Sequence, residues 1–124
     1  QKAYGNCSRS RLHSDWEADV SATLEQIRNL ERIYTEGYAD SFLDRSLQKI
    51  VAHQLARDQA DLAVLKQDLD ALETQCNMSS DEFHRRYSEG QLSDDADYVE
   101  WNALYRMCTR LRARLDILQG RDQA

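Results

Sequence analysis

Two apolar stripes, each stepping by three and four residues, constrain this chain more than any other feature. Leu55, Leu62, Leu65, Leu69, Leu72 and Cys76 form the first, which is broken once, at Asp58. Trp101, Leu104, Cys108, Leu111, Leu115 and Leu118 form the second, without a break. That period is the seam of a coiled coil. Neither stripe is stable facing water, so the spacing predicts two helices that bury their stripes against each other. The connection between them is short, which makes the two rods antiparallel. The expected fold is all-α: a long antiparallel helical hairpin, coiled-coil-like, with a short helix at the connection and an N-terminal helix packed alongside, a three- to four-helix bundle.

Local signals place the boundaries. Residues 1–13 have no period and read as a flexible tail, or as an arm that orders on a partner. Ser14-Asp15-Trp16-Glu17 has the pattern of a capping box opening a first helix over about 15–35. Trp16, Val20, Leu24, Ile27, Leu30 and Tyr34 lie on one face of it, expected to cover the open side of the second helix near its N-terminal half, and Gly37 suits its close. A second helix over about 41–76 meets no breaker before Asn77, which tolerates the left-handed conformation of a C-terminal cap. Its Arg57, Asp58, Asp61, Lys66, Asp68 and Asp70 read as a solvated face. Ser79-Ser80-Asp81-Glu82 is a second capping box, with Met78 and Phe83 as its hydrophobic staple, opening a short helix over about 80–89. Asp94, Asp95 and Asp97 begin the last helix, over about 95–118, where carboxylates complement the helix dipole. Residues 14–120 read as one helical domain.

Composition narrows the function classes. The chain has 124 residues, no proline and a formal net charge of −6. An acidic balance disfavours nucleic acid as a partner for the chain on its own and suits a basic protein partner. The three cysteines have no C-x-x-C spacing. Cys76 and Cys108 fall on the stripes as small hydrophobes, which fits a reducing, cytoplasmic setting. No apolar run approaches a membrane span, and no signal-peptide pattern stands at the N-terminus.

Three constellations invite a search for chemistry. Asp97 and Glu100 share a helical face, and with Asp94 and Asp95 they could hold a divalent cation or do acid–base work, as in a metal-dependent phosphohydrolase. No histidine stands at ligand spacing to them and no glycine-rich phosphate loop is near, so they read first as a helix start. Glu82-Phe83-His84-Arg85-Arg86-Tyr87 sets a histidine beside two arginines, but nothing supplies a nucleophile, and a solvated face is the simpler reading. No zinc-type spacing, Walker motif or dinucleotide fingerprint occurs. No catalytic residue, metal ligand or cofactor site is assigned. The third constellation is aromatic: Phe83, Tyr87, Tyr98, Trp101 and Tyr105 either form the hub where the helices meet or expose part of that hub for docking, since aromatic anchors within a charged rim are what interfaces use.

The run Met78-Ser79-Ser80-x-Glu82-Phe83-x-x-x-Tyr87-x-x-Gly90-x-Leu92-x-Asp94-Asp95-x-Asp97-x-x-Glu100-Trp101-x-Ala103-Leu104-Tyr105 resembles a group of small helical proteins of bacteria and archaea. In these a long charged helix leads into an "MSSEEF…GELGDD.DF.EW.AL" segment and a closing helix rich in Arg and Leu. The resemblance covers about residues 40–118. Ser93 stands where that group more often has glycine, Tyr98 where phenylalanine is usual, and the first helix is longer than in its short members. Such proteins look like the antitoxins of toxin–antitoxin modules. The resemblance implies a non-enzymatic protein that neutralises a cognate protein toxin by direct binding. The partner-binding residues expected on that basis are Phe83, Tyr87, Asp94, Asp95, Asp97, Tyr98, Glu100 and Trp101. The alternative is a self-associating coiled-coil scaffold or adaptor, a homodimer through the second and last helices with no toxin involved.

Overall fold

A computed structural model describes the backbone of residues 2–123 and the side chains of residues 17–122. The fold is all-α, with no strand among the described residues. Four helices follow in order: α1 (Lys2–Thr35), α2 (Ser41–Cys76), α3 (Ser80–Ser88) and α4 (Ala96–Leu118). A 3₁₀ turn at Arg121–Gln123 closes the chain. The backbone of α1 is helical from Lys2, through the position where the Ser14 box was expected to open the helix. The side chains of Ser14, Asp15 and Trp16 in that box, and of Cys7, lie outside the described residues. Contacts divide the chain at a point inside α2 into two compact units, Gln1–Arg45 and Ser46–Ala124, where the sequence suggests one domain over 14–120.

In the first unit the corner after α1 is a backbone-bonded cap. Gly37 takes φ +82°, and the Tyr38 N–H donates to the Ile33 carbonyl at 2.9 Å, the six-to-one bond of a Schellman close. Asp40 caps α2: its Oδ1 accepts from the Leu43 N–H at 2.9 Å. The Tyr34 hydroxyl donates to Asp44 Oδ1 at 2.7 Å. That hydrogen bond, with some burial and the neighbouring carboxylate charges, pushes the Tyr34 phenol up to about 12. Burial along the apolar stripe of α1 is uneven. Val20, Leu24 and Ile27 are exposed, Ile27 by 56%, while Leu30 and Ile33 are half-buried. A stripe defines which face is apolar; it does not supply a cover for it.

The second unit is the hairpin. Arg114, late in α4, pairs with Asp58 in the middle of α2. Trp101, early in α4, joins the cluster that holds Leu69 and Cys76 from the far end of α2. The rods therefore run antiparallel. Among the described residues only Leu69, Phe83, Trp101, Cys108 and Leu115 are buried apolar residues, while Leu62, Leu65, Leu72 and Leu104 are half-buried. Two helices alone leave most of the flanks of a leucine seam in water; burial reaches 0% exposure at Phe83 and Trp101, where α3 adds a third element.

One seam position departs from expectation. Asp58 belongs to the spacing of the α2 stripe and is 3% exposed, not part of a solvated face. Gln54 Nε2 donates to its Oδ1 at 2.8 Å, and Arg114 Nε lies 2.9 Å from Oδ2. The ion pair brings charge to a carboxylate oxygen that has no aligned hydrogen bond. Asn77, at φ +51°, ends α2 in the left-handed region, with the Met78 N–H donating to the Glu73 carbonyl. Gly90, at φ +74°, does the same after α3.

Candidate functional site

The segment that joins α2 to α4 is assembled from local signals outward. Ser79 caps α3, its Oγ accepting from the Glu82 N–H at 3.1 Å. The return half of the expected capping box is absent. The Glu82 carboxylate instead takes Arg85 at 2.7 Å and Arg86 at 2.9 Å, because charge-assisted bonds to two guanidinium groups outweigh one to a backbone amide. Those hydrogen bonds, Arg85 first and Arg86 second, hold the Glu82 carboxyl down at about 2. Arg85 is correspondingly raised and also reaches Glu89. The Ser80 N–H is satisfied from the preceding helix, donating to Glu73 Oε2 at 2.8 Å. A carboxylate from α2 thus sits at the positive end of α3.

Side chains then fasten α3 to α4. Phe83 and Trp101 stack with ring centroids 4.0 Å apart and planes 4° from parallel, and both are fully buried. The Trp101 indole N–H donates to Ser80 Oγ at 3.0 Å, also buried. Tyr87 and Tyr98 flank Phe83, with centroids at 5.4 and 5.7 Å. His84 is half-buried, not part of a solvated face: its Nδ1 lies 3.1 Å from Asn102 Oδ1, and its ring stacks on Tyr105 at 4.5 Å. The Tyr105 hydroxyl donates to Asp81 Oδ1 at 2.7 Å. That bond, with burial, raises the Tyr105 phenol. A cleft of about 120 Å³ beside this hub is lined in part by Glu73, Asp81, Tyr105, Lys66 and Arg112.

The eight residues expected to meet a partner fall into three groups. Phe83 and Trp101 are core, and the expectation that they anchor a partner is corrected: neither ring has surface to offer, and each is already stacked on the other. Tyr87 and Tyr98 are half-buried at the edge of the cluster. Asp94, Asp95, Asp97 and Glu100 are exposed, and among the described residues none forms an ion pair within the chain. Asp95 precedes α4 as its cap, but only its carbonyl is used, accepting from the Tyr98 and Val99 N–H groups at 3.0 Å; its carboxylate is uncommitted. The geometry is therefore a rigid aromatic hub carrying a rim of free carboxylates at the start of a helix.

Among the described residues, no three His, Cys, Asp or Glu side chains come together at metal-holding distance. No described helix is long and apolar enough to cross a membrane. No protein-family model, curated protein or solved structure matches the chain.

Proposed function

We propose that this chain is a non-enzymatic, cytoplasmic antitoxin that neutralises a protein toxin by binding it directly. The observation that carries the reading is the set of exposed, unpaired carboxylates, Asp94, Asp95, Asp97 and Glu100, on a protein of net charge −6. Such a rim attracts a basic surface, speeds encounter and selects against acidic partners. The Met78–Tyr105 segment's resemblance to antitoxin-like proteins supports the same assignment. In this reading Tyr87 and Tyr98 contribute their exposed edges beside the carboxylates, and Phe83 and Trp101 hold the platform from beneath. The test is co-expression with the product of the neighbouring gene: a stable complex and restored growth are expected, and failure of both removes the antitoxin.

A second reading is a self-associating helical scaffold with no toxin. It is favoured by the exposure of Val20, Leu24 and Ile27 along α1 and by the half-buried seam leucines of α2 and α4. Sedimentation of the purified chain alone tests it.

A further inference from the structure

We propose that one open groove of the hairpin, between α2 and α4, is the interface for a second copy of this chain, which completes a two-fold four-helix bundle. The inference rests on the self-associating reading and does not need a toxin.

The groove is lined by Asp61 and Leu65 from α2 and by Met107, Arg110, Leu111 and Arg114 from α4. Leu65 and Leu111 are seam residues left half-buried at its floor. Along its α4 wall runs a second row at three- and four-residue steps: Val99, Ala103, Met107, Arg110, Arg114 and Ile117. The large apolar members of that row are open to water, Val99 by 48%, Met107 by 53% and Ile117 by 64%. A helix with one apolar stripe needs one neighbour; a helix with two adjacent stripes fits a bundle with a neighbour on each.

Charge identifies the neighbour. The α2 wall of the groove carries Asp61, and the α4 wall carries Arg110 beside Arg114, which is already paired with Asp58 of its own chain. Among the described residues Asp61 and Arg110 form no ion pair within the chain. At the groove an acid on one wall stands opposite a base on the other, so the surface is complementary to itself. Two hairpins can meet face to face about a two-fold axis across the helices or along them. The first sets α2 against the other copy's α2, acid against acid. The second sets α2 against the other copy's α4, antiparallel and at the same height, so that Asp61 of each copy meets Arg110 of the other. Only the second arrangement satisfies the charges, and it is isologous, so it closes at two copies. The face is large enough: α4 is about 35 Å long at ~1.5 Å per residue, and two helices side by side are about 20 Å wide. Their product, ~700 Å², is close to the ~800 Å² per partner of a standard interface.

The test is sedimentation equilibrium of the full chain and of four variants, with circular dichroism to check that each remains helical. The wild type is expected to be a dimer. Met107→Glu, which alters an exposed side chain outside the seam, should give a helical monomer. Asp61→Arg and Arg110→Asp should each weaken the dimer, on the order of a hundredfold in Kd, because each sets like charges opposite each other; the double variant D61R/R110D should regain it. A wild-type dimer unaffected by Met107→Glu and by both single reversals overturns the groove while leaving self-association standing. Single variants that dissociate with no recovery in the double variant overturn the axis along the helices. A monomeric wild type overturns both the groove and the scaffold reading, and leaves the antitoxin reading to its own test.

Discussion

Asp58 and Arg114 meet at 2.9 Å across the hairpin, with the carboxylate sealed inside the seam and the guanidinium half in water. The pair joins the middle of α2 to the last turns of α4. A lone carboxylate there would carry its full desolvation cost, so each partner matters differently. Arg114→Met removes the compensating charge and leaves Asp58 buried. A loss of about 1–3 kcal/mol is expected, below the value for a fully buried pair because Arg114 is half solvated. Asp58→Leu restores the stripe and is expected to be neutral or stabilising by about 1–3 kcal/mol. Chemical denaturation of both variants measures this; equal losses in the two would show that the pair itself, not the burial of one charge, sets the stability.

The Phe83–Trp101 stack is the point at which three helices become one unit. Phe83→Ala removes a fully buried ring and should cost about 3–5 kcal/mol. Trp101→Phe keeps an aromatic ring but removes the N–H that Ser80 Oγ accepts, at a cost of about 1–3 kcal/mol. Near-ultraviolet circular dichroism should lose intensity in Phe83→Ala below its unfolding midpoint. A full spectrum with native stability in that variant would mean that the hub does not support the fold.

What could be read in advance follows the range of the forces. Helix ends depend on bonds within a few residues, so Gly37, Asn77, Ser79 and the opening of α2 near Ser41 were legible in the chain. The hairpin was legible too, because a heptad stripe carries its own demand for a partner. The fate of single polar residues was not. Asp58 resembles any aspartate of a charged helix until Arg114 arrives from α4, and His84 looks solvated until Asn102 and Tyr105 enclose it. Composition likewise could not sort the aromatic residues: Phe83 and Trp101 have the chemistry of interface anchors, and only burial identifies them as core. The exposed face of α1 shows the same limit from the other side, since an apolar stripe does not say whether this chain or another molecule covers it.

Asn77 offers a local test of the cap that ends α2. Its φ of +51° is accessible to Asn and easier still for Gly. Asn77→Gly should leave thermal stability within about 0.5 kcal/mol of the wild type, whereas Asn77→Val should lose about 1–2 kcal/mol through backbone strain. Thermal melts of the two variants distinguish a conformational requirement from a side-chain one; equal losses would rule out the conformational account.

Acid should loosen α3 before it affects the hairpin. Glu82 ionises at about 2 in the fold, against 4.5 ordinarily, because Arg85 and Arg86 stabilise its charge. With the folded value depressed, its contribution is complete above about 4.5 and is lost as pH falls towards 2. Glu82→Gln should flatten that part of the acid titration of stability while leaving the neutral-pH helix content unchanged. Identical acid profiles for wild type and variant would show that the arginines contribute nothing to folding through Glu82.

The carboxylate rim separates a folding role from a binding role. As dipole partners at the start of α4, Asp94, Asp95 and Asp97 would contribute about 0.3–1 kcal/mol each, a contribution that salt screens. Asp95 forms no side-chain cap bond, so the combined variant D94N/D95N/D97N should lose only about 1–3 kcal/mol and remain helical. Its affinity for a basic partner should fall much further, mainly through a slower association rate whose salt dependence is flattened. Stopped-flow association with the proposed toxin partner, at low and at physiological salt, measures both. A variant that associates as fast as the wild type at every salt concentration would confine these aspartates to the helix they begin.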